Sequence, residues 1–351
     1  MKNMNKKETG FESIEEAFKH KKASLLAHKG LDYYFDSYSK VGIHYEMLSD
    51  KHRTESYRDS IINNPHLFKD KVVMDIGCGT GILSMFAASA GAKKVYAIEM
   101  ASIVNFAREI VKENGFEKVI EFHHGKLEDL VLPFDKVDII ISEWMGYLLL
   151  FEGMLDSVLV ARDKYLAKDG LLFPNKELIY VNGFEDYEAL DRTESYRGFN
   201  GINYDEFIEV NYTVPDVNCI KPNDIMTEDK FIYELDLQTV SIPELDFACD
   251  FTLRCTKKGY VHGLCLWFDS LFTHGKETVN LTTSPHAKPT HWKQGLLYLR
   301  NPLPVFDGDN VYVKLALKKS KDNPRNLDIR VDYSLKNELC CIKETQFYLF
   351  K

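Results

Sequence analysis

The sequence predicts an α/β fold: a doubly wound, Rossmann-like parallel sheet followed by an antiparallel β-domain. Three observations predict it. Short apolar runs alternate with helical segments between Lys71 and Ser142. Glycines stand at the strand-to-helix junctions of that region. After Pro174 the helical period fades, and alternating runs such as Tyr260 to Phe268 and Val311 to Leu317 take over. In order, apolar residues recur loosely at helical spacing from Ile14 to His28, and a second helix is expected from about Asp50 to Asn63, ending before Pro65. Lys71 to Ile76 reads as a strand, followed by a helix that Gly77 to Gly81 opens and Gly91 closes. Lys94 to Ile98 is the next strand, ending on Glu99, with a helix running on to about Asn114 before Gly115. Val119 to Phe122 and Val137 to Ser142 are further strands, the second apolar enough to be central. These boundaries predict a mobile leader over 1–29, a first domain over 30–174 with helices ahead of its sheet, and a β-domain over 175–351.

Composition narrows the function classes. The 351 residues are 45% hydrophobic and 28% charged, which excludes wholesale disorder and suits about two domains. A net charge of −9 argues against duplex-DNA binding through whole-molecule charge, so no direct nucleic-acid contact is expected; it suits a cationic partner. Seven cysteines, odd in number and without metal-ligand spacing, predict free thiols in a reducing compartment and no metal. The first 22 residues lack an apolar signal core, and the longest apolar runs are too short for a bilayer. The expectation is a soluble protein of cytoplasm or nucleus, with no membrane partner.

The segment Asp75-Ile76-Gly77-Cys78-Gly79-Thr80-Gly81 follows the first strand and opens the first helix, where a ligand loop belongs. A dinucleotide fingerprint needs its third glycine at position 82, which is Ile82 here. G-x-G-x-G is instead the spacing of S-adenosylmethionine (SAM) enzymes, whose ligand has no pyrophosphate to cradle. Glu99, 22 residues beyond Gly77, can accept both hydroxyls of a ribose, and the Glu128-Asp129 pair after the third strand can receive an adenine amino group.

The run from Ser142 to Met154 leaves the carboxyl end of a central strand, where open α/β sheets keep their active sites. Glu143 and Glu152 bracket an apolar, glycine-hinged loop with nothing basic inside it. Carboxylates beside so much apolar surface need a cation, which points to a cationic substrate.

With these stand Tyr34-Phe35-Asp36-Ser37-Tyr38 and Thr290-His291-Trp292. Together they resemble the protein arginine methyltransferases, type I branch, from about Gly30 to the C-terminus. The resemblance implies that the substrate arginine lies between Glu143 and Glu152, whose carboxylates can grip a planar guanidinium bidentately. Guanidinium and SAM sulfonium are both cations and would repel by about 4 kcal/mol at roughly 4 Å and an effective dielectric of 20, which two carboxylates offset. The same carry-over gives cofactor contacts to Phe35, Tyr38, His44, Arg53, Asp75, Gly77, Gly79, Glu99, Glu128 and Met154, with Arg53 matching the methionine carboxylate of SAM by charge. Tyr34, Met47, Tyr147 and Trp292 would wall the arginine pocket. His291, near Glu152 and Asp50, would carry off the proton released by transfer. The implied products are S-adenosylhomocysteine and mono- and then asymmetric dimethylarginine, on Arg/Gly-rich proteins including histone tails and RNA-binding proteins.

Two positions depart from the family pattern: Gly153 stands where serine is common, predicting a looser loop, and Phe151 where tyrosine is frequent. The resemblance also implies a barrel-like β-domain and a homodimer formed through an inserted helical arm at about 185–217. Residues 184–250 hold 4 bases and 17 acids, a candidate acidic track toward Glu143 and Glu152.

Overall fold

The computed structural model describes residues 13–18 and 33–351. Ahead of the first sheet come α1 (Ile14–Ala17), α2 (Tyr33–Tyr38), α3 (Val41–Ser49), α4 (Lys51–Ile62) and α5 (Pro65–Phe68). Asp50 divides α3 from α4: its extended backbone ends one helix, and its carboxylate caps the other by accepting from the Arg53 N–H at 3.0 Å.

Strands β1 (Val72–Ile76), β2 (Lys94–Glu99), β3 (Ile120–His124), β4 (Val137–Ser142) and β5 (Leu166–Phe173) then alternate with α6 (Ile82–Ser89), α7 (Val104–Glu113) and α8 (Leu155–Tyr165). The strands pair in parallel in the order β3-β2-β1-β4-β5. Val73, Met74, Ile139, Ile140 and Ile141 of the two central strands are buried, as a sheet covered by helices on both faces requires. Strand order reverses between β1 and β4, and the register sets Ile76 opposite Ser142. The glycine loop after β1 and the glutamate loop after β4 therefore emerge side by side, at the switch point where such sheets bind ligands. Two hydroxyls fasten this junction: Ser142 Oγ donates to the Ile76 carbonyl and Tyr57 to the Ser142 carbonyl, each at 2.8 Å.

From β6 (Lys176–Phe184) onward the pairing is antiparallel. α9 (Tyr187–Glu194) and α10 (Asp205–Val210) follow, then β7 (Asp216–Asn218), β8 (Lys230–Asp236), β9 (Phe247–Arg254), β10 (Gly259–Phe272), β11 (Val279–Thr282), β12 (Gln294–Val305), β13 (Asn310–Lys319), β14 (Leu327–Lys336) and β15 (Cys341–Phe350). One sheet runs β7-β12-β10-β6-β8 with β11 on β10, and the other runs β15-β14-β13-β9. Alternation does the burying: in β9, Phe247, Cys249, Phe251 and Leu253 point inward between exposed or half-buried neighbours. The apolar core is continuous from β1 and β4 into β13 and β14, so the two halves are packed together.

The leader expectation needs correcting for its described part. Residues 13–18 are not loose: α1 lies on the four-stranded sheet with Ala17 and Phe18 buried. Arg330 Nη1 donates to the Ala17 carbonyl at 2.6 Å, and Glu15 pairs with Lys318 and Lys321. The remainder of the expected leader, and of the helix expected to His28, lies outside the described residues. No helix among those described is long and apolar enough to cross a membrane.

Candidate active site

Gly77, Gly79 and Gly81 all take left-handed backbone, with φ of 69°, 54° and 83°. At Gly77 the need is also steric, since a Cβ there would lie 2.3 Å from Cε of Met154. Glu99 at the tip of β2 holds this loop: one carboxylate oxygen accepts from the Gly79 N–H at 2.9 Å and the other from Ala101 N–H at 2.7 Å. Each oxygen keeps a further lone pair for a ligand hydroxyl. Glu128 is oriented by Ser157, whose hydroxyl donates to it at 2.6 Å. His44 lies over Gly79 and donates through Nε2 to the Tyr38 carbonyl at 2.8 Å.

Asp75 is a correction. Its side chain is fully buried away from the cleft, with Oδ2 accepting from Ser84 of α6 at 2.6 Å. Burial pushes the carboxyl up to about 7, and Oδ1 has no hydrogen-bond partner among the described residues. Asp75 ties β1 to α6 instead of touching a cofactor, because the alternation of β1 turns it to the face on which α6 packs.

The glutamate loop folds back sharply on itself. Gly146 N–H donates to the Leu149 carbonyl at 2.9 Å, and a Cβ at Gly146 would fall 1.9 Å from the Phe151 carbonyl oxygen. Leu148, Leu149, Glu152 and Gly153 are all left-handed. This turn returns Glu152 to the cleft that Glu143 faces. A second correction follows at Glu143, since its cation is already in the chain. Arg53 of α4 donates Nε and Nη2 to one Glu143 oxygen at 2.9 and 2.7 Å, with both side chains less than a tenth exposed. Local reading missed the pair because 90 residues separate its members.

Glu152 is held otherwise. The Tyr38 hydroxyl donates to its carboxylate at 2.9 Å. Burial pushes its carboxyl up to about 7; the Tyr38 hydrogen bond opposes that rise and the charge of Glu143 adds to it. Its backbone meets Arg325, in the turn between β13 and β14, which the sequence reading did not single out. No local signal could have found it, since Arg325 lies in a polar turn of the other domain.

The chain matches known proteins across both halves. Residues 67–181 match a methyltransferase domain, and residues 175–338 the arginine methyltransferase oligomerization subdomain. Protein arginine N-methyltransferase 1 of Chlamydomonas reinhardtii is 44% identical over 318 residues, covering 90% of this chain and 92% of that one. The Saccharomyces cerevisiae protein of the same name is 45% identical over 308 residues, covering 87% and 88%. The chain belongs to the protein arginine N-methyltransferases. Among solved structures, a Trypanosoma brucei PRMT1 enzyme–prozyme heterotetrameric complex with AdoHcy superposes with a TM-score of 0.88 at 43% identity, over 90% of this chain and all of that one.

The rest of this methyltransferase's cleft is assembled from distant segments. Tyr34, Phe35 and Tyr38 arrive on α2, Met47 on α3, Tyr147 on the glutamate loop, and His291 and Trp292 between β11 and β12. Tyr34 donates to the Met154 sulfur at 3.6 Å, and the Trp292 indole N–H to the Met145 carbonyl at 2.7 Å. Asp50 does not line the cleft. It stands behind His291, accepting from its Nδ1–H and its backbone N–H, each at 2.8 Å. Burial alone would raise the Asp50 carboxyl, but the hydrogen bonds from His291 and Arg53 outweigh it and hold the group below its ordinary range.

Proposed function

We propose that the protein transfers methyl groups from SAM to guanidinium nitrogens of arginine in Arg/Gly-rich proteins such as histone tails, giving monomethyl and then asymmetric dimethylarginine. The observation that carries this is the return of Glu152, on a left-handed turn, to the cleft that Glu143 and the glycine loop share. Family membership supports the reaction class, and the AdoHcy of the trypanosomal neighbour supports the cofactor.

The residues present fit SAM. Gly77 and Gly79 leave room for close approach, Glu99 and Glu128 offer acceptors at the ends of β2 and β3, and Arg53 offers a cation for a carboxylate. Bound there, SAM supplies an electrophilic methyl on a sulfonium. Glu143 and Glu152 bind and orient the guanidinium and balance its charge. Tyr38 and the Glu143–Arg53 pair keep those carboxylates aligned, so acceleration comes from alignment and fixed electrostatics. His291, backed by Asp50, receives the released proton.

The assembly is a homodimer through α9 and α10. Tyr196, Phe199 and Phe207 form an exposed aromatic cluster there, with ring centroids 5.8 and 5.9 Å from Tyr196. An apolar patch of that kind suits a protein interface. Cytoplasm and nucleus are the compartments that match free thiols and such substrates. The test is incubation with labelled SAM and a Gly-Arg-rich peptide, followed by mass spectrometry for asymmetric dimethylarginine. Absence of transfer to any arginine peptide overturns the reading.

A further inference from the structure

The turn between β13 and β14 reaches across from the β-domain and touches the catalytic loop at one residue. Glu152 N–H donates to the Arg325 carbonyl at 2.8 Å, and Arg325 Nη1 donates back to the Glu152 carbonyl at 2.8 Å. A single residue thus satisfies both backbone polar groups of Glu152. Glu152 needs such support, because its φ of 74° is one that a residue with a Cβ adopts only against strain.

The same guanidinium has a second use. Its carbon lies 4.0 Å from the ring centroid of Tyr34 and 5.0 Å from that of Phe35. A planar cation over an aromatic face is attracted to it, and both rings belong to α2, which also carries Tyr38 to the Glu152 carboxylate. The turn is fastened on its other side as well, where Lys319 pairs with Asp156 in the first turn of α8.

Gly153 leaves this approach uncrowded. It is left-handed, with φ of 66°, and a Cβ there would stand 3.2 Å from the Pro324 carbonyl oxygen.

We propose that Arg325 is a positioning residue for methyl transfer, tying the β-domain turn, the Glu152 backbone and the aromatic helix α2 together so that Glu152 and the α2 side of the cleft reach working geometry in one step. This rests on the arginine-methyltransferase reading of the cleft. Arg325 also lowers the cost of a charge at Glu152, which burial otherwise raises. Lysine keeps that charge and loses the planar fork that both stacks and hydrogen-bonds.

The experiment compares Arg325→Ala and Arg325→Lys with wild type, measuring kcat and KM for peptide across pH 5.5–9 and SAM affinity by calorimetry, on preparations matched by circular dichroism. Arg325→Ala is expected to move the acidic limb of kcat/KM to higher pH and to weaken SAM binding about tenfold, the scale of one lost cation–π contact with its hydrogen bond. Arg325→Lys is expected to return the limb toward wild type while SAM affinity stays weakened. If Arg325→Ala keeps both the wild-type limb and the wild-type SAM affinity, the proposal is overturned, even if its melting point falls. If wild type itself transfers no methyl to peptide, the function reading fails, while the change in SAM affinity still decides the role of Arg325.

Discussion

The two ends of the glutamate loop share one cleft but are supported in opposite ways. Glu143 is secured within its own domain, at the end of β4 and in an ion pair with Arg53 of α4. Glu152 is secured in part from outside: Tyr38 of α2 in its own domain holds its carboxylate, and the β-domain turn that carries Arg325 holds its backbone. Its carboxyl, pushed up to about 7, changes charge near neutral pH. One glutamate is therefore a fixed part of the scaffold, and the other is assembled only when helix, loop and β-domain meet.

Replacing each glutamate should separate these roles most strongly. Glu143→Gln is expected to lower methyl transfer by about 10²- to 10³-fold, the cost of losing a preorganised charge at the reacting group. It should also destabilise the fold by about 3 kcal/mol, because Arg53 is left buried without its partner. Glu152→Gln is expected to lose comparable activity with no loss of stability at pH 7.5 in a urea titration. Equal destabilisation by both variants would erase the contrast.

The pH dependence sharpens it. The folded pKa of Glu152 lies above the unfolded value, so its contribution to stability is fully present below about 4.3 and is lost as pH rises through about 7. Asp75 acts in the same direction over the same range. Urea midpoints should accordingly decline between pH 4.5 and 7.5, and less steeply in Glu152→Gln and in Asp75→Asn. The kcat/KM profile should show an acidic limb near pH 7.

Tyr38→Phe is expected to cost about tenfold in kcat/KM, the scale of one hydrogen bond to a charged group, and to move that limb upward because the bond lowers the Glu152 pKa. A limb left in place would detach Tyr38 from Glu152. The smallest effect should come from Gly153→Ala, a loss of about 1 kcal/mol in thermal unfolding from left-handed strain. No effect there would mean that Gly153 is not held in its left-handed backbone in solution.

Much of this molecule is written locally. The central run of Ile139, Ile140 and Ile141 announces a covered strand, and the glycines between Gly77 and Gly81 announce a tight ligand loop, because both depend on neighbours within a few residues. Glu99 was legible for the same reason, as the last residue of β2. The resemblance added Tyr34, Tyr38, Met47 and His291, which no periodicity points to. Asp75 misled because membership of a motif does not say which face of a strand a side chain takes. Residues 13–18 misled because the loose helical spacing from Ile14 onward does not say that Ala17 and Phe18 will pack near Ala316 and Phe347, some 300 residues away.

By itself, then, the sequence determined the parallel sheet, the glycine loop, the pair of glutamates and the family. Those depend on short-range pattern, on backbone freedom and on residue type. Only the tertiary structure decided which cation meets Glu143 and which residue braces Glu152. Those partners lie 90 and 173 residues away, and an ion pair or hydrogen bond acts through a few ångströms of space whatever the distance along the chain.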